Sequence, residues 1–199
     1  MFEETKKAWD IITNPGKATA TMSMGEALGF YYRASILPVI VAIIVGFVVG
    51  YLAGNLLGSV FGSLGALLSS GTGAAVGLLV AVLAALYLLV LVPVGMVIDA
   101  AIYQLFAKVI FKMWEGAFNK TFTAITYGMM PVLLFFWLAL IPIVNLLLIV
   151  VGLWSIAVFV ISLSTQHKVS AWRALGGVVL TWVVVVAIML AIEVVAVVL

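Results

Sequence analysis

Thr121–Thr165, TFTAITYGMMPVLLFFWLALIPIVNLLLIVVGLWSIAVFVISLST, contains no charged residue. Two apolar runs, Phe122–Ile141 and Ile143–Leu163, are separated by little more than Pro142 and Asn145. At a rise of about 1.5 Å per residue each run is roughly 30 Å long as a helix, the thickness of a bilayer's hydrocarbon core. So short a connection forces the two helices antiparallel and side by side. The stretch reads as a transmembrane hairpin against which every other span has to be arranged.

The rest of the chain has the same character. Of its 199 residues 67% are hydrophobic and 8% charged, against roughly 25% charged in soluble domains. A water-soluble fold of this length could not hide that much apolar surface, so lipid is the solvent. The expected fold is an all-α polytopic membrane bundle: five transmembrane helices and an N-terminal interfacial helix. Cysteine is absent, which excludes disulfides, thiol catalysis and thiolate metal sites. One histidine speaks against a histidine metal or haem centre, so no cofactor is expected. The first apolar run starts near Ile36, too late and too long for a signal peptide.

In chain order, residues 1–22 form an N-terminal segment and 23–199 the membrane domain. Phe2, Trp9 and Ile12 share one helical face, with Lys6, Lys7 and Asp10 mostly opposite, which predicts a short surface helix ended by Asn14-Pro15. Ser23-Met24-Gly25-Glu26 reads as a capping box that starts a new helix. Spans are expected at about 34–57, 74–98 with an amphipathic extension to 114, 122–141, 143–163 and 171–199. Tyr31, Tyr32 and Arg33 are placed at the interface before span one. Pro93 and Gly95 should kink span two, and Pro131 should bend span three by freeing the carbonyl of Tyr127.

Gly46, Gly50, Gly54, Gly58 and Gly62 recur at every fourth position, and Ala66 and Ser70 continue the row. On a helix this is one smooth stripe that a second helix can approach closely, within the chain, across a homodimer seam or against another membrane protein. A helical break is expected near Asn55–Ser63, with Phe61–Ser70 along the outer surface. All nine Lys and Arg residues sort to one side: Lys6, Lys7, Lys17 and Arg33, then Lys108, Lys112 and Lys120, then Lys168 and Arg173. The positive-inside rule then sets the N-terminus in the cytosol and the C-terminus outside, in what reads as a prokaryotic plasma membrane.

From about Val80 onward the chain resembles the YIP (Ypt-interacting protein) family of small five-span membrane proteins, in its short prokaryotic form. IDAAIYQLFAKVIFKMWEG carries the likeness, followed by TFTAITYGMMPVLLF with Tyr127 and Pro131, Ile141-Pro142 at the hairpin tip, Trp154, and SLSTQHKVSAWRAL. Trp9–Pro15, WDIITNP, looks like the short element that precedes the first span in such proteins. The resemblance implies a role in membrane organisation. Eukaryotic relatives bind Rab/Ypt GTPases and associate with one another and with curved membranes. This chain lacks their long N-terminal region and its acidic recognition element, so GTPase binding does not carry over.

Among the polar groups Asp99, at the inner end of span two, stands out, with Arg33 as the expected partner. Glu193 falls roughly 33 Å along span five, at the outer interface. Tyr127 and Trp154 read as packing residues whose polar tips each seek one hydrogen bond. His167 reads as solvated in a turn. No GxSxG, HExxH or phosphate-cradling glycine loop occurs, and no enzyme is expected. The basic residues are too sparse for nucleic acid. Three readings remain: a non-catalytic membrane-organising or interaction protein, a small-solute or ion transporter with Asp99, Arg33 and the glycine row along its path, and an accessory subunit docked through that row.

Overall fold

The computed structural model describes residues 2–60 and 72–198. Their order is α1 (Phe2–Thr13), α2 (Met24–Val60), α3 (Thr72–Leu86), α4 (Val92–Tyr103), α5 (Phe118–Phe135), α6 (Leu147–His167) and α7 (Ala171–Val198). A π turn, Tyr87–Leu91, joins α3 to α4, and a second, Gln104–Ile110, extends α4. Five helices are long and apolar enough to cross a membrane: Met24–Leu56, Gly73–Ile110, Phe118–Leu140, Val144–His167 and Ala171–Val194. The molecule is a helical membrane bundle whose outward apolar side chains meet lipid.

Two close pairs build it. In the first, spans one and two meet along the glycine row. A Cβ on Gly50 would lie 2.8 Å from the Gly77 Cα, and one on Gly77 would lie 2.6 Å from the Phe47 carbonyl oxygen. Only hydrogen fits at either place, and the backbones touch. Gly46 faces Val80 and Ala81, and Gly54 is buried. Gly58 falls in the last turns of α2. Gly62 and the expected outer-surface segment Phe61–Ser70 lie outside the described residues. In the second pair α5 and α6 close on Gly128, where a Cβ would come 2.7 Å from that of Phe159.

At Pro93 the helix's hydrogen bonding changes partners. Val92 N–H bonds the Tyr87 carbonyl five residues back, and Pro93 has no N–H to give, so the Leu88 and Leu89 carbonyls lose their helical donors. Tyr31 donates its hydroxyl to Leu88 O at 2.7 Å and Tyr32 donates to Leu89 O at 3.2 Å. Tyr31 is therefore fully buried. The expectation that Tyr31 stands at the interface is corrected: a carbonyl in an apolar surround takes its hydroxyl, while Tyr32 remains 42% exposed.

The Ser23–Glu26 box forms, with Ser23 N–H on Glu26 Oε2 at 2.7 Å and Glu26 N–H on Ser23 Oγ at 3.3 Å. The extension of span two ends at Ile110 rather than Trp114, because Lys112 adopts a positive φ and turns the chain. Trp114 then folds under the bundle against Gly177, where any side chain would collide with its ring. Ile143 sits in the hairpin turn, not in the helix, with φ of 69° and Val144 N–H on the Pro142 carbonyl.

The two pairs do not reach equally far. Phe136 stacks on Tyr87 with ring centroids 5.1 Å apart, and Leu140 shares a surface groove with Val80, Leu83 and Ala84. Beyond that level the span three–four hairpin has only its turn left. Span two continues from Val80 back to Thr72, about 12 Å at helical rise, and α2 runs on to Val60.

Candidate functional site

Chemistry gathers at the end of the bundle that carries the basic residues. The segment between α1 and α2, which reads as a plain linker, is a strap tied across α5 and α6. Trp154 Nε1 donates to the Ile12 carbonyl at 3.0 Å, and Tyr127 donates its hydroxyl to the Ala20 carbonyl at 3.3 Å. Gln166 Nε2 donates to the Ala18 and Ala20 carbonyls at 3.1 and 3.2 Å, and Thr21 donates to Gln166 Oε1 at 2.6 Å. Thr123 Oγ1 accepts Met22 N–H at 3.0 Å and donates to the Met22 carbonyl at 3.1 Å. The strap's main chain and the polar groups on spans three and four satisfy each other. Pro15, at the start of a 3-10 turn over Pro15–Lys17, sets the bend where the strap leaves α1.

α1 is held down as well. Ala8, Ile11 and Ile12 are buried, and Trp9 lies against Phe135 and Trp154 with centroids 6.3 Å from each. Glu4 Oε1 pairs with Arg33 Nε at 3.2 Å, and the Lys7 ammonium stands 5.4 Å above the Phe30 ring. Arg33 was the partner expected for Asp99. That pairing is corrected: the returning α1 places its own carboxylate beside Arg33, while Asp99 faces spans three to five.

His167 is buried, not solvated. Its Nδ1 lies 2.7 Å from the Glu115 carbonyl, which can only accept, so Nδ1 carries the proton. Its Nε2 lies 3.0 Å from Thr121 Oγ1, which in turn accepts Gln104 Nε2 at 2.8 Å. The chain of donors therefore runs Gln104 to Thr121 to His167 to the Glu115 carbonyl. Gly116, at φ of 131°, supplies the turn that brings the carbonyl there. Trp114 lies over the imidazole, and Arg173 Nη2 bonds the Lys112 carbonyl at 2.9 Å, so span five joins the same node. Thr121, Gln104 and Gln166 carry the node and the strap, and sequence reading passed over all three. Polar residues near the ends of apolar runs were the available signal.

The remaining candidates scatter. Glu193 is exposed on the late turns of α7, and Pro131 lies within α5. Pro142 is at the hairpin tip, far from the strap. Asp99 lies in a crevice with Tyr103, Gly128, Ser155, Phe159 and Trp182. Among the described residues no group of His, Asp or Glu is placed to hold a metal ion.

This arrangement defines a class: a polytopic α-helical membrane protein with an N-terminal helix and strap fastened over one end. The family model described as Yip1 domain matches residues 9–192, and the chain belongs to that family. The match begins at Trp9, the residue that seats α1 on Phe135 and Trp154. No curated protein and no solved structure matches the chain.

Proposed function

We propose that this chain is a non-catalytic organiser of the bilayer, of the Yip1 domain type, acting through an uneven cross-section. Its basic end would lie in the cytosol and its C-terminus outside, in a prokaryotic plasma membrane. The supporting observation is the offset between the helix pairs. At the basic end α1 and the strap pack against the helices, whereas past Leu140 and its turn, among the described residues, span one runs on to Val60 and span two reaches back to Thr72. α1 carries Glu3, Glu4, Lys6, Lys7 and Asp10, so it belongs at headgroup depth. Such a body occupies more area in the cytosolic leaflet than in the opposite one and favours a membrane convex toward the cytosol.

The same geometry weighs against the other readings. Gly46 and Gly50 are filled by span two of the same chain, which leaves neither a lumen nor a docking seam beside them. Reconstitution at rising protein-to-lipid ratio tests the proposal. Mean vesicle diameter should fall, and a chain lacking residues 1–14 should lose most of that effect. Vesicles of unchanged size at every ratio would count against it.

A further inference from the structure

A crevice of about 160 Å³ lies between α4, α5, α6 and α7, with Asp99, Tyr103, Gly128, Ser155, Phe159 and Trp182 around it. It opens sideways to lipid, since Ile156 and Trp182 on its rim are 49% and 58% exposed. Its depth follows from its neighbours. Ser155 adjoins Trp154, which bonds the Ile12 carbonyl of the charged surface helix. Asp99 stands five residues before Gln104 in the sequence, about 7 Å along the helix from the His167 node. With α1 at headgroup depth, the reading proposed above on which this inference rests, the crevice lies near the headgroups of the basic-side leaflet.

Two of its polar groups, Asp99 and Ser155, lack partners among the described residues, while the Tyr103 side chain bonds Trp182. Asp99 has no ion pair or hydrogen bond among the described residues, Arg33 being taken by Glu4. Ser155 Oγ is buried and unbonded. A carboxylate and a hydroxyl left open beside lipid call for a cation that can donate hydrogen bonds. The Tyr103 and Phe159 rings, 5.1 Å apart, offer a wall that suits positive charge.

We propose that this crevice binds the primary ammonium of a lipid headgroup, as carried by phosphatidylethanolamine, with Asp99 as counter-ion and Ser155 Oγ as a second acceptor. Size supports the choice. The crevice, about 160 Å³ and open on one side, has room for an aminoethyl group and a phosphate oxygen. The methyl groups of choline could donate nothing to the carboxylate. An anionic headgroup would be repelled.

The test is competition on the full chain in mild detergent. Phosphatidylethanolamine, phosphatidylcholine and phosphatidylglycerol of identical acyl chains are added in equal amounts, and native mass spectrometry reports which is retained. A preference for the ethanolamine lipid of about tenfold is expected, the scale of one charge-assisted hydrogen bond. Asp99→Asn should abolish the preference and Ser155→Ala weaken it. Equal retention of the three lipids by the unmutated chain would overturn the proposal without reference to any variant's folding. Survival of the preference in Asp99→Asn would overturn it too. Excess free ethanolamine should leave the lipid bound; displacement by the free amine would show a soluble-amine site and overturn the lipid assignment.

Discussion

Pro93 withholds one N–H, and two tyrosines elsewhere in the chain answer for it. Tyr31→Phe removes only the hydroxyl and leaves Leu88 O unsatisfied in an apolar surround, a loss of about 1–3 kcal/mol. Chemical unfolding in detergent measures it. In a Pro93→Ala background the helix can supply its own donor, so the cost of Tyr31→Phe should shrink. An equal cost in both backgrounds would show that the hydroxyl serves something other than the gap left by Pro93. The proline was legible from the sequence as a break in the helix's hydrogen bonding. Its partners were not, because Tyr31 and Tyr32 carry the same aromatic signature as interface anchors. His167 was misread for a related reason: a polar turn looks solvated until Trp114 and Gly116 are known to fold over it.

At the scale of helices, the glycines separate by what stands opposite them. Gly50→Ala must push α2 off the Gly77 backbone and should cost about 1–3 kcal/mol by overpacking. Gly95 has nothing within 4 Å of the Cβ it lacks, so Gly95→Ala should be neutral or stabilising by up to ~1 kcal/mol through helix propensity. Thermal unfolding of the two variants side by side gives the comparison. Periodicity exposed the row at once, since small residues every fourth position have one physical use in a helix. Its partner face on span two, at Gly73 and Gly77, became visible only with the fold. The strap was the element least legible in advance. Its bonds come from main-chain carbonyls, which every sequence possesses, and the side chains that find them lie more than a hundred residues away. Gln166→Ala, which frees the Ala18 carbonyl and leaves Ala20 with Tyr127 alone, should raise hydrogen exchange across 12–22 while leaving spans one and two protected. Unchanged exchange would mean that the strap is held by other contacts.

For the molecule as a whole, hydrophobic length predicted the membrane class and the number of apolar helices without ambiguity. Depth was not predictable the same way, because each run was measured on its own ruler. The offset of the span three–four hairpin appears only when Leu140 is seen beside Val80 and Trp9 beside Phe135. That offset is what makes one end of the bundle broad. The most direct measurement is the density of labelled protein on single vesicles of graded diameter, with the basic end facing outward. Density per unit area should rise as diameter falls, and the rise should be lost when residues 1–14 are removed. A density independent of diameter, or one that falls on the smaller vesicles, would contradict the account.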